Sequence, residues 1–297
     1  MVETNPQELT GLSLYTRAAE SAANAVIDAY STSFGMAVKL LSTEYRQHVA
    51  NIYGLVRVAD EIVDGSAEEA KNAGGQVDSS KILDDLERET YAAIAAGYSS
   101  NLIVHAFART ANYSGIEREL IAPFFESMRM DLWKTKHDQK SFEKYVYGSA
   151  EVIGLMCLKV FLVGEHRTQS ENQILVDGAR ALGAAFQKVN FLRDLGADRD
   201  GLGRSYFPGL DPKKLNDAKR DELVADIKVD ISKAIKTLKL LPVGARRAVA
   251  TALMLFQALN DIISRTPAKK LMQTRIRVPD SYKLILAIRA IFGWLPR

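Results

Sequence analysis

The chain has 297 residues, 47% hydrophobic and 25% charged, which is ordinary globular composition and long enough to bury a large core. Thirty-nine basic against 36 acidic residues leave a net charge of +3, too balanced to point to nucleic acid. One cysteine, Cys157, excludes an internal disulfide and fits a reducing compartment.

Helical periodicity runs through 14–30, 43–64, 79–96, 116–132, 142–163, 172–198, 217–240 and 243–265. The opening residues lack the basic-then-apolar pattern of a signal segment. No uncharged apolar run approaches the ~18 residues of a spanning helix, so a cytoplasmic location is expected. Ser114-Gly-Ile-Glu117 and Thr168-Gln-Ser-Glu171 read as capping boxes opening two helices. Pro242 and Pro267 bracket the last one. Cys157 lies in an apolar run, where an inert core thiol is the expected reading. His48, His105, His137 and His166 show no metal-ligand spacing, so zinc is not expected. Alternating segments are too few to build a sheet. The expectation is an all-α, single-domain bundle over 1–297, with its core about 14–293 and sites lined by facing helices.

Two segments break the pattern. Residues 65–80 contain Gly74-Gly75, and residues 199–212 follow the long helix. Each leaves the end of a helix that carries an aspartate motif. Loops there can close over a substrate and exclude water, although a plain surface connection serves the first equally well. The last stretch, 282–297, is apolar with basic punctuation. It fits an interfacial helix giving peripheral contact with the inner face of a membrane, or a core helix of the bundle.

The aspartate motifs are the sharpest chemical signal. Tyr53, Arg57, Asp60 and Asp64 fall at i, i+4, i+7 and i+11, one continuous stripe among Ile52, Leu55, Val56, Ala59 and Val63. Gln187, Asn190, Asp194 and Asp198 stack similarly among Phe186, Val189, Phe191 and Leu192, with Arg193 beside them. A lone Asp-x-x-x-Asp usually marks a solvated face. Two such pairs, each with an arginine or amide on its stripe, point instead to a polyphosphate held through hard metal ions. Mg²⁺ takes one or two carboxylates plus phosphate oxygens.

At these residues the chain resembles the squalene/phytoene synthase family of head-to-head prenyl transferases. The segments that carry the resemblance are Tyr30-Ser-Thr-Ser33-Phe34, Tyr53 through Asp64, Tyr145-Val-Tyr147-Gly-Ser-Ala-Glu-Val-Ile-Gly154, and Gln187 through Gly203-Arg204-Ser-Tyr206-Phe-Pro208. The wording is most like bacterial phytoene synthases. Three positions depart from the family's usual pattern: Glu61 for an aspartate, Ala197 for a glutamate, and Glu151 for a small glycine.

The resemblance implies an isoprenoid-synthase bundle with a central cavity. It implies condensation of two prenyl diphosphates through a cyclopropylcarbinyl diphosphate, with phytoene from geranylgeranyl diphosphate as the expected product. Squalene or dehydrosqualene synthase is the alternative, and an inactive assembly-factor relative is the non-enzymatic one. It implies Mg²⁺, with Mn²⁺ as a substitute, bound by Asp60, Asp64, Asn190, Asp194 and Asp198, and no NADPH. Ser31, Ser33, Phe34, Gln187, Asn190, Arg193 and Tyr206 are the implied substrate contacts. Tyr53, Arg57, Tyr145 and Arg204 are the implied catalytic residues, with Arg57 and Arg204 also on the diphosphate.

Overall fold

The computed structural model describes residues 11–202, 204–211 and 214–291. The side chains of residues 32, 33, 197–202, 287 and 291 lie outside the described atoms, which takes Ser33 and Asp198 out of the site geometry. Among the described residues the only β-type pairing is one parallel bridge, Lys136 to Ser205. The rest of the regular structure is helical: α1 (Gly11–Tyr30), α2 (Thr32–Val38), α3 (Thr43–Asp64), α4 (Ser66–Asn72), α5 (Ser79–Ala96), α6 (Leu102–Ser114) and α7 (Arg118–Asp131). Then come α8 (Gln139–Val146), a π turn (Tyr147–Glu151), α9 (Val152–Phe161), α10 (Gln169–Leu202), α11 (Asp217–Thr237), α12 (Val243–Arg265), α13 (Ala268–Leu271) and α14 (Asp280–Ile291).

Helices α3, α5 and α12 begin and end where periodicity places them. The Thr168–Glu171 box forms: the Thr168 N–H donates to Glu171 Oε2 (2.9 Å), and the Glu171 N–H donates to Thr168 Oγ1 (3.2 Å). The box expected at Ser114 does not. Ser114 ends α6, and Gly115 terminates that helix in the left-handed conformation (φ +67°). Glu117 caps α7 without a side-chain bond. Helix α6 has no counterpart among the expected elements. Val104, His105, Ala106, Phe107, Ala108, Thr110 and Ala111 are all buried, and its exposed face is confined to Arg109, Asn112 and Tyr113 within about one turn. The interruptions are also shorter than expected, because α4 occupies part of 65–80 and α10 runs on to Leu202.

Helix α3 packs against α1, α5, α6, α7 and α9, while α10 packs against α9, α11, α12 and the π turn. One buried cluster runs from Ile27 to Ala290. Phe107, Phe124, Phe125, Ile52 and Leu55 are its largest fully buried members, each stabilising the fold by roughly 1.5–3 kcal/mol. Helix α9 therefore touches both aspartate helices.

The π turn has a local cause. A Cβ on Gly148 would lie 2.0 Å from the Pro123 carbonyl oxygen, so only glycine lets this turn approach α7. The Ser127 hydroxyl donates to the Tyr145 carbonyl (3.2 Å), tying α7 to the end of α8 just before the turn. On the α10 side, Glu151 accepts from Arg180 Nε (2.7 Å), and the Arg180 guanidinium lies 5.3 Å from the Tyr147 ring centroid. That ion pair gives the carboxylate its place in the fold: it ties the π turn to α10.

Candidate active site

The C-terminal half of α3 supplies the first group. Arg57 Nη1 donates to Asp60 Oδ2 (2.5 Å), and Arg57 Nη2 pairs with Glu61 one turn along. The Arg57 guanidinium also covers the Tyr30 ring, 4.2 Å from its centroid. Glu61 accepts the Ser66 N–H (2.8 Å) as well, so it anchors Arg57 and the start of α4. Tyr53 stacks on Phe34 (5.5 Å, 23°). Phe34 is placed by Ser31, whose Oγ accepts the Phe34 N–H at the start of α2 (3.2 Å). Burial pushes the Asp60 carboxyl up to about 6 against the pull of Arg57, with Asp64 and Glu61 repelling its charge. Burial raises Asp64 too, opposed by Arg204.

The second group comes from α7, α8 and the chain after α10. Arg204 Nη1 pairs with Asp64 and lies 3.3 Å from the Tyr206 hydroxyl. Its Nη2 donates to the Asp131 carbonyl (2.6 Å). The Asp131 carboxylate accepts from the hydroxyls of Tyr145 (2.7 Å) and Tyr206 (3.3 Å), with Arg204 Nη1 at 3.7 Å. Burial, then repulsion from Asp64, drives the Asp131 carboxyl up to about 8. Tyr206 stacks on Phe191 of α10 (4.1 Å, 8°). The Ser205 N–H donates to the Thr135 carbonyl (2.9 Å), clipping this segment to the chain after α7. His137 lies in the same layer, 5.7 Å from Tyr206 and 5.2 Å from Tyr145, both of its ring nitrogens buried without a hydrogen-bond partner.

The third group lies on α10. Arg193 grips Asp194 through Nε (3.0 Å) and Nη2 (2.5 Å), and Arg275 reaches the same carboxylate from the segment after α13 (Nε to Oδ1, 2.7 Å). Asn190 presents a buried Oδ1 that accepts no hydrogen bond. Gln187 is half-buried one turn earlier.

The structure thus gathers Arg57, Asp60, Asp64, Tyr145, Arg204 and Tyr206 around α3, and joins them to α10 through the Tyr206–Phe191 stack. Sequence reasoning missed Asp131, His137 and Arg275. Asp131 closes a helix in a stretch without a motif, Arg275 lies in irregular chain, and the only signal for either is its position in the fold. Every described aspartate of the two motifs is paired with an arginine. Among the described residues no three acidic, histidine or cysteine side chains converge as a metal cage. The donor set nevertheless suits a hard cation. Asp60 and Asp64 resist ionising side by side, the Asn190 carbonyl oxygen is buried and unused, and the donors are all oxygen.

Comparison with known proteins decides the family. The squalene/phytoene synthase model matches residues 27–281. The chain belongs to that family. Its members are prenyltransferases that act on prenyl diphosphates. Among curated relatives, the 15-cis-phytoene synthase of Synechocystis is 28% identical over 277 residues, 86% of this chain and 79% of its own. Chloroplastic phytoene synthase 2 of Oryza sativa is 29% identical over 182 residues, 60% of this chain and 43% of the rice protein. The chain spans less than half the length of the rice protein and of others like it, such as the Zea mays phytoene synthase 3 at 40%. The fold is that of a dehydrosqualene synthase crystallised with ligand: TM-score 0.76, 21% identity, 94% of this chain and 98% of the other. A squalene synthase from Alicyclobacillus acidocaldarius also shares it: TM-score 0.71, 18% identity, 85% and 95% covered.

Proposed function

We propose that the protein is a phytoene synthase. It joins two geranylgeranyl diphosphates head to head through a cyclopropylcarbinyl diphosphate, releases diphosphate, and ends by proton loss without NADPH. The observation that carries the reading is the Arg204–Tyr206 segment, which pairs with Asp64 of α3 and stacks on Phe191 of α10, so it ties one carboxylate-bearing helix to the other. Phytoene as the product is supported by the curated relatives, which carry that name, the Synechocystis protein over most of both chains.

In this reading Asp60, Asp64, Asn190, Asp194 and Asp198 hold Mg²⁺, or Mn²⁺ in its place. Bound there, the metal would supply positive charge to a diphosphate leaving group. The protein's own residues do the rest. Arg57, Arg193 and Arg204 present planar, permanently charged forks suited to phosphate oxygens. Arg275 adds a fourth on the α10 side. Asp131 fixes the hydroxyls of Tyr145 and Tyr206, so those rings stand in one orientation. Tyr53 and Phe34 form a stacked apolar wall that keeps water from allylic cations.

The test is direct. Purified protein is given Mg²⁺ with geranylgeranyl or farnesyl diphosphate, with and without NADPH, and the hydrocarbon is identified by mass spectrometry. Phytoene from the C20 substrate, independent of NADPH, is the expected result. Squalene made from farnesyl diphosphate only with NADPH overturns the assignment within the family. Dehydrosqualene made from farnesyl diphosphate without NADPH overturns it too.

A further inference from the structure

Helix α14 has two apolar faces. Leu286 and Ala290 are buried and seat the helix on α12. Leu284, Ile285 and Ile288 are 57%, 46% and 44% exposed. At about 100° per residue these three fall within one sector of roughly 100°, opposite Leu286 and Ala290. Scattered exposed apolar side chains are ordinary, but three adjoining ones on the outer face of one helix form a patch.

The charge around the patch is lopsided. The described residues 265–291 hold seven of the 39 basic residues and one of the 36 acidic ones, a net charge of +6, against −3 for the rest of the chain. A second copy seated on this face would bring two such segments together and be repelled. An anionic surface would be drawn to it. Among the described residues no helix is long and apolar enough to cross a membrane, so the contact would lie on the surface rather than span it.

We propose that the outer face of α14 docks on an anionic lipid surface, with Leu284, Ile285 and Ile288 entering the acyl boundary and the basic residues facing the headgroups. The placement bears on the site. Arg275, five residues before α14, holds Asp194, so docking would bring the α10 end of the candidate site close to the lipid. That consequence rests on the proposed function, whose hydrocarbon product is insoluble in water. The docking itself does not.

The experiment is vesicle flotation of the full chain without substrate, so its outcome is independent of activity. The vesicles are phosphatidylcholine alone, or phosphatidylcholine with phosphatidylglycerol. The wild-type chain should float with the anionic vesicles, and high salt should release it. Leu284→Ser/Ile285→Ser/Ile288→Ser should lower partition by at least about 100-fold. If that variant fails to fold, Lys269→Glu/Arg277→Glu leaves the patch intact and should lower partition roughly fivefold or more for each charge removed. No flotation, or flotation equal on neutral and anionic vesicles, overturns the proposal. So does a lipid-free dimer, measured by sedimentation, that the serine variant alone dissociates.

Discussion

Arg204 meets Asp64 across 140 residues of sequence, and with its other amino group holds the main-chain carbonyl of Asp131. One guanidinium therefore joins the end of α3, the end of α7 and the chain leaving α10. It is only 8% exposed. Its position fits an anchor and also a charge ready for diphosphate, and these two roles predict different losses.

Arg204→Ala should do both kinds of damage. Removing one partner of a buried pair costs about 3 kcal/mol, because Asp64 is left without its counter-charge and the Asp131 carbonyl without its donor. Turnover should fall as well. Arg204→Lys keeps the charge but not the fork, so it should recover much of the stability and little of the turnover. Thermal melts and steady-state kinetics on both variants check this. Normal turnover in a destabilised Arg204→Ala protein would reduce Arg204 to an anchor.

The aspartates proposed to hold metal should behave oppositely in stability. Asp60→Asn and Asp194→Asn should each lower turnover at saturating Mg²⁺ by at least ~100-fold, the range for loss of one electrostatic group. Asp60→Asn should not destabilise the metal-free fold, since burial and neighbouring carboxylates already disfavour the Asp60 charge. Near-normal turnover in Asp194→Asn would remove it from the ligand set.

The aspartate helices were legible because carboxylates four apart in an apolar surround have few structural explanations. Helix limits followed from periodicity wherever one face met solvent, as in α3 and α12. Helix α6 was hidden because it is short and its exposed face, Arg109, Asn112 and Tyr113, spans only about one turn. Asp131 was hidden for a different reason. In sequence it is one more acidic residue at a helix end, and only packing places it among Tyr145, Tyr206 and Arg204. The pairing of the arginines was likewise out of reach. Sequence puts Arg57 and Arg193 near carboxylates, but the choice between aspartate and an incoming phosphate belongs to tertiary electrostatics.

Gly148→Ala tests the π turn. The added methyl would meet the Pro123 carbonyl at 2.0 Å and Ser127 Oγ at 2.2 Å, both rigidly placed. Such overpacking costs about 1–3 kcal/mol. It should also displace Tyr145 from Asp131, so turnover should drop further than the melting temperature alone implies. Unchanged stability would mean that the turn relaxes to an ordinary helix at no cost.

Asp131 should write itself into the pH dependence of the metal-free fold. Its carboxyl is raised from 3.8 to about 8, chiefly by burial, and Asp60 is raised to about 6. A group that holds its proton more tightly when folded contributes stability that is complete below its unfolded value and lost as pH rises through its folded value. Both carboxyls therefore predict falling stability on the alkaline side. His48, His105 and His137 act in the other sense, because burial lowers each of them from 6.5, but they have finished titrating near neutrality. The diagnostic window is thus about pH 7 to 9, where Asp131 changes charge beside Asp64, whose carboxyl burial also raises. In chelator, the wild-type melting temperature should decline across that window. In Asp131→Asn it should stay level, because the amide has no proton to lose. The same amide can no longer accept equally from both tyrosines, so Asp131→Asn should lose turnover at every pH. A wild-type melting temperature that is flat or rising from pH 7 to 9 would show that Asp131 is already ionised there, stabilised by Arg204, and would make it a permanent counter-charge rather than a buried acid.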